Sequence, residues 1–399
     1  MQDFVIAGSA VTRSVASSAA RLVSRARSAQ SSTGGPAQPP GGIGMSDASD
    51  TTLTAVRAAH RFDTAALGRY LAAHLPGSGA LRRVRQYEGG QSNPTFRLDS
   101  EGGSLVLRKK PPGRLLPSAH QVEREYRILA ALHGTGVPVP RPLLLCEDAA
   151  VIGTAFYIME HVPGRVVEHP ALPGLSPADR AAAYADMNRV LAALHAVDPG
   201  AVGLGDLGRP DGYLARQIRR WSDQYRRSAP RPLPAMERMM DWLPRHIPAR
   251  EETTLIHGDF RPGNLILHPT EPRVAAVLDW ELATLGHPLA DLAHCALAWH
   301  FPPDAARLPG IDPDTRAAMG LPAEAEHVAD YARRSGRSPG ADWPFFLAFA
   351  LFRMAAIVQG VHARALQGNA ASEAARAYGP LVAIYADRAL ALAAEAGGA

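Results

Sequence analysis

Cysteine is scarce in this 399-residue chain, which carries only Cys146 and Cys295, far apart and with no Cys-x-x-Cys spacing. No disulfide framework or thiolate zinc site can be built from them, and a reducing, cytoplasmic setting is expected. Long apolar runs are also missing. No stretch of about 18 apolar residues stands out, so no membrane-spanning helix is expected. The formal charge is only +4, and the pI near 9.2 reflects abundant arginine. Charge of that size is no argument for a nucleic-acid partner. No internal repeat is visible.

What is present is a globular composition, 46% hydrophobic and 20% charged, at a length that favours two packed lobes over one core. Residues 1–44 hold Arg13, Arg21, Arg25 and Arg27, a single acid, Asp3, and then a Gly/Pro-rich run. They resemble an organellar transit peptide. A disordered tail, or an upstream start before Met45, is the preferred reading, and residues 1–50 are expected outside the fold.

Spacing of Val56, Leu67 and Leu71 predicts a helix over 54–74. Leu81–Tyr87, Thr95–Leu98, Ser104–Lys109 and Ala155–His161 read as strands, with a helix over 118–133 between the last two. Residues 51–161 thus form a small, mostly β lobe. Residues 162–399 form a larger helical lobe, with helices over 177–197, 211–227, 288–299, 343–366 and 370–396 and a hairpin, Leu265–His268 with Val274–Leu278. The expected class is α+β, two-lobed.

The chemistry is concentrated between His257 and Asp291, in HGDFRPGNLILHPTEPRVAAVLDWELATLGHPLAD. His-Gly-Asp-x-x-x-x-Asn is followed by a hairpin and Asp-Trp-Glu. Phosphoryl transfer needs an aimed acceptor oxygen and a triphosphate neutralised by Mg²⁺. Asp259 suits the first task. Asn264, five residues on, and Asp279, at the hairpin's end, offer hard oxygen ligands for the metal. In the small lobe, the turn Glu88–Asn93 has small residues, Gly89, Gly90 and Ser92, that let backbone amides approach a phosphate.

This arrangement resembles the catalytic loop and metal-binding motif of the protein-kinase-like fold, in the form used by aminoglycoside phosphotransferases and choline kinases. The resemblance implies ATP and Mg²⁺ as cofactors and a small-molecule hydroxyl as acceptor. It makes His257 a prop for the loop, Arg261 a stabiliser of charge on the moving phosphoryl group, and Asp291 a buttress. It places Arg108 where related kinases carry a phosphate-gripping Lys, with Lys109 as a rival, and makes Glu125 its helix partner. Backbone groups of Glu160 and His161 would meet the adenine edge. Arginine in place of lysine departs from the common pattern, but its fork still suits phosphate or carboxylate.

Over residues 81–366 the chain is similar to one branch, the phosphotransferase domains of acyl-CoA dehydrogenase family members 10 and 11. VLRKKPPGRLLPSAHQVEREY, FYIMEHVPGR, HGDFRPGNL, LDWELATLGHPLADLA and FRMAAIVQGVHAR carry that likeness. It implies a hydroxylated fatty acid or its acyl-CoA ester as acceptor. No dehydrogenase segment follows in these residues, so the kinase portion alone is expected. An antibiotic kinase and a nucleotide-binding pseudokinase scaffold are the alternatives.

Three signals point elsewhere. Gly203-x-Gly205-x-x-Gly208 has dinucleotide-binding spacing but leaves a helix rather than a strand. Arg216, Arg219, Arg220, Arg226 and Arg227 form a stripe that could meet an anion, though a solvated face over Trp221 and Tyr225 is the commoner outcome. His287, Asp291 and His294 have metal-like spacing but directly follow the Mg²⁺ loop.

Overall fold

The computed structural model describes residues 53–88, 93–111, 121–305, 308–366 and 378–396. Its first part is an antiparallel sheet of six strands: β1 (Leu53–Thr54), β2 (Leu81–Tyr87), β3 (Thr95–Ser100), β4 (Gly103–Lys109), β5 (Pro142–Cys146) and β6 (Phe156–Glu160), ordered β1-β2-β3-β4-β6-β5. Side chains alternate between its faces. Phe96, Leu98, Leu107, Phe156 and Ile158 meet Leu67 and Leu71 of helix α1 (Thr64–His74) in a small core. Val106, Tyr157 and Met159 join the main core with Val122, Ile128 and Leu129 of α2 (Val122–Leu132).

The helix expected over 54–74 begins only at Thr64. Asp63 caps it by accepting from the Ala65 and Ala66 amides, both 2.9 Å away, and the residues before it form β1 and a 3₁₀ turn, Ala58–His60. β5 was hidden by its proline punctuation. Pro142 is tolerated because β5 is an edge strand, where a missing N–H can face solvent.

A short helix, α3 (Ala149–Ile152), joins β5 to β6 and packs on α1, and the second part is helical: α4 (Pro177–Ala196), α5 (Tyr213–Ser228), α6 (Pro234–Trp242), α7 (Pro288–Ala296), α8 (Glu324–Ser335), α9 (Trp343–Leu366) and α10 (Gly379–Glu395). Central α9 packs on α5, α7 and α10. The segment Gly340–Leu366 is long and apolar enough to cross a membrane, contrary to expectation, but 94% of its most apolar window is buried inside the protein. It is a core helix, and Arg353 and Gln359 break the apolar run that would have flagged it.

Two short β pairs position the site. β7 (Thr254–Ile256) pairs with β10 (Thr284–Gly286), and β8 (Leu265–Leu267) with β9 (Val274–Val277). β7 delivers the chain to His257, and β10 carries it away from the turn at Asp279. Their pairing therefore lays the 257–264 loop against the 279–283 turn. The sheet is tied to this region by Arg124 of α2, whose guanidinium donates to the carbonyls of Ala283 (2.5 Å) and Leu207 (3.3 Å).

Candidate active site

The 257–264 loop is fixed from three sides. Gly258 has φ +80°, and a Cβ there would lie 2.9 Å from the Leu282 carbonyl oxygen, so glycine alone lets the loop pass this close to the neighbouring turn. The His257 ring accepts from the Asp259 amide at Nδ1 (3.2 Å) and donates from Nε2 to the Leu278 carbonyl (2.9 Å). One acceptor and one donor assign it the neutral Nε2–H form, a prop rather than a base. From α7, the Asp291 carboxylate accepts the amides of His257 and Gly258, each at 2.8 Å, and faces His195 Nε2 at 3.3 Å. From α9, Arg353 donates to the Gly258 carbonyl at 2.8 Å.

Burial pushes the Asp291 carboxyl up, but His195 and the His257 group outweigh it and hold the carboxyl below its ordinary value. A carboxyl lowered in the fold contributes stability above its unfolded pKa and loses it as pH falls through the folded one. Asp291→Ala strands two buried amides, so it should cost about 2–4 kcal/mol at neutral pH. That deficit, read from unfolding temperatures of both proteins, should shrink below about pH 4.

Asp259 is 5% exposed. Its Oδ1 receives His294 Nε2 at 2.8 Å, and its Oδ2 receives Asn264 Nδ2 at 2.7 Å with Arg261 Nε at 3.4 Å. Burial opposes the charge, yet Arg261 and His294 hold this carboxyl far below its usual range. Asn264 also donates to the Asp259 carbonyl (2.8 Å) and accepts the Leu278 amide on its own backbone carbonyl (2.8 Å). With its amide nitrogen committed, its side-chain oxygen is the atom it can offer a cation.

Asp279 sits in the left-handed region, φ +64°, a strained conformation for a residue other than glycine. Its Oδ1 accepts from Arg108 Nη2 at 2.8 Å. Arg108 Nε lies 2.9 Å from Glu125 Oε2, a charge contact without hydrogen-bond alignment. Glu125 further accepts from Asn93 Nδ2 (2.5 Å) and the Tyr157 hydroxyl (3.2 Å). Burial disfavours the Arg108 charge, but Glu125 and Asp279 more than restore it. Lys109 lies on the opposite face of the sheet, its Nζ 5.8 Å from the Phe62 ring centre, so of the two cations Arg108 faces the site.

The site carries more negative than positive charge. Burial, and then the Asp279 charge, push the Glu281 carboxyl well up, with Glu125 and Asp259 acting in the same direction. A divalent cation held beside Asp279 would relieve this crowding of carboxyl groups, which Arg108 and Arg261 offset only in part. Among the described residues, no three His, Cys, Asp or Glu side chains are gathered to hold a metal unaided. That suits Mg²⁺, which takes one or two protein ligands and completes its shell with water and phosphate.

A family model described as "Phosphotransferase enzyme family" matches residues 83–334. The chain belongs to the phosphotransferase enzyme family. It is 47% identical over 322 residues to acyl-CoA dehydrogenase family member 11 of Rattus norvegicus, covering 79% of this chain and 41% of that protein, so it spans less than half of that relative's length. A crystal structure from Ralstonia eutropha, described as a candidate aminoglycoside phosphotransferase, is 48% identical, covers 84% of this chain and 99% of its own, and superposes with a TM-score of 0.77. An aminoglycoside phosphotransferase held with ADP and hygromycin B is 17% identical at a TM-score of 0.54, covering 84% of this chain and 100% of its own, a likeness of fold. The fold is the protein-kinase-like fold of aminoglycoside phosphotransferases.

In this phosphotransferase the expected site residues Asp259, Arg261 and Asn264 contact one another, and Arg108 joins Glu125 to Asp279. Gly89, Gly90 and Ser92 lie outside the described residues. The Glu160 N–H donates to the Arg141 carbonyl (3.0 Å), so any contact of this residue's backbone with an adenine edge falls to its carbonyl. His294, Asn93, Glu281 and Arg353 were not among the expected residues. His294 did carry a signal, since three residues after Asp291 on a helix puts it on the same face. His287 caps α7, its Nδ1 accepting from the Leu289 amide (3.2 Å). In the arginine stripe, Arg219, Arg226 and Arg227 are exposed, while the Arg220 and Arg353 guanidiniums lie 5.1 and 5.6 Å from the Trp221 ring centre.

Proposed function

We propose that this phosphotransferase moves the γ-phosphoryl group of ATP onto a hydroxyl of a small molecule. The observation that supports this most is the Asp259–Asn264 contact, which places an ionised, desolvated carboxylate beside a residue able to hold a metal. The acceptor oxygen would form its bond to the γ-phosphorus as the bond to the ADP oxygen breaks, and the acceptor's proton would pass to Asp259. A carboxyl held so low is a weak base, so its main task is to aim the hydroxyl. That is sufficient where the transition state is loose and the proton leaves late.

Asn264 and Asp279 would hold Mg²⁺, which when bound neutralises triphosphate charge. Arg261 would stabilise charge on the moving group. Arg108, anchored by Glu125, would grip the α- and β-phosphates, with Gly89, Gly90 and Ser92 covering them. The Glu160 carbonyl and the His161 backbone would meet the adenine. If Arg108 acts as a cation on phosphate, Arg108→Lys should keep turnover within about 100-fold of wild type, whereas Arg108→Ala loses more. Initial rates of ADP release decide this, and complete loss in the lysine variant would mean the guanidinium fork itself is required.

For the acceptor, a hydroxylated fatty acid or its acyl-CoA ester is the proposed class. The paired guanidiniums of Arg220 and Arg353 against Trp221, with Arg353 bonded to the loop backbone at Gly258, favour an anion over a cationic aminoglycoside. ADP release with Mg²⁺–ATP and either hydroxylated fatty acids or aminoglycosides tests this, with mass spectrometry of the acceptor. Phosphorylation of the aminoglycosides alone would reject the anionic class.

A further inference from the structure

The helix after the metal-binding turn holds a group that the proposed roles above do not use. His294 is buried, 5% exposed, on α7, and its Nε2 meets Asp259 Oδ1 at 2.8 Å. An ionised carboxylate only accepts, so Nε2 carries the proton and donates. The other ring nitrogen, Nδ1, is buried with no hydrogen-bond partner. The ring is therefore held here by its bond to Asp259 and by packing. Three residues earlier on the same face, Asp291 takes the loop's backbone amides. One helix thus grips the loop twice, by its backbone through Asp291 and by its reactive carboxylate through His294.

The other oxygen, Oδ2, is reached by Asn264 and Arg261. Without a donor on Oδ1, the carboxylate could swing wholly toward these two groups and turn its acceptor-facing lone pairs away.

We propose that His294 is a positioning residue for the phosphoryl transfer. Its Nε2–H pins Asp259 Oδ1 so that the carboxylate presents a fixed face to the incoming hydroxyl. This rests on the reading of Asp259 given above. His294 touches no phosphate or acceptor in this role, so it should affect turnover rather than nucleotide binding.

The test compares His294→Gln, whose amide nitrogen reaches the place of Nε2, with His294→Asn, whose amide falls short. Both are polar and similar in bulk, and thermal unfolding checks that both fold. ADP release is measured with Mg²⁺–ATP, in water and with hydroxylated fatty acids. His294→Asn should lower kcat by about 10- to 100-fold with KM for ATP changed by no more than about twofold, and His294→Gln should recover to within about threefold of wild type. Wild-type kcat in His294→Asn, or equal losses in both variants with KM rising alongside, would overturn the proposal while leaving the kinase reading intact. Absence of ADP release from the wild type itself would remove the kinase reading and this role with it.

Discussion

Asp259→Asn should lower kcat by about 10³- to 10⁴-fold while Mg²⁺–ATP still binds within about threefold of wild type. The size follows from what the carboxylate does. Its charge is maintained in a buried place by Arg261 and His294, and an amide there offers one oxygen, no charge, and a donor facing the donors of His294 and Asn264. The substituted side chain would have to turn, and the acceptor would lose its aim as well as its proton sink. Nucleotide binding is spared because the role proposed for Asp259 is to meet the acceptor oxygen rather than to bind the phosphates. Calorimetric titration of Mg²⁺–ATP beside steady-state rates separates the two quantities. A variant with unchanged kcat would show that Asp259 has no part in the chemistry.

Asp279→Ala should weaken Mg²⁺-dependent nucleotide binding by about 100-fold or more. The substitution removes a proposed metal ligand and also the Oδ1 partner of Arg108. It leaves alanine at φ +64°, a strain of roughly 1–2 kcal/mol. Asp279→Asn separates these effects, since asparagine tolerates the left-handed region and keeps one oxygen. It should fold like the wild type and bind Mg²⁺–ATP between the other two. Equal affinity in all three proteins would place the metal elsewhere.

Part of the site's geometry was legible in the sequence, where spacing alone constrains it. Asp259 and Asn264 sit on one tight loop, and the hairpin from Leu265 to Val277 returns the chain to Asp279, so five-residue and hairpin spacings were enough to bring them close. Arg108 and Glu125 came from the resemblance to kinases, and their side chains do meet, 2.9 Å apart. Asn93 and Arg353 were not legible as site residues because each reaches it through tertiary packing, and His294 showed only its helical spacing from Asp291. Arg353 comes from a helix nearly a hundred residues after the loop it holds, bonding Gly258 across that separation. Among the elements, α8 escaped notice because only His327 and Tyr331 of it are buried, too narrow a stripe to read as amphipathic. β7 and β10 were too short, three residues each, for any alternation to show.

Arg124 and Glu125 are neighbours with opposite tasks, the first bonded to the carbonyls of Ala283 and Leu207 and the second facing Arg108. A single helical turn thus anchors the sheet to the turn after Asp279 while it sets the Arg108 guanidinium.

Crystals soaked with Mn²⁺ and a non-hydrolysable ATP analogue test most directly whether the three side chains serve one site. The anomalous signal of the metal is expected about 2.1 Å from the Asn264 side-chain oxygen and an Asp279 carboxylate oxygen, with the γ-phosphate beside Asp259. Metal and nucleotide bound away from these residues, with Asp279 still held by Arg108 alone, would contradict it.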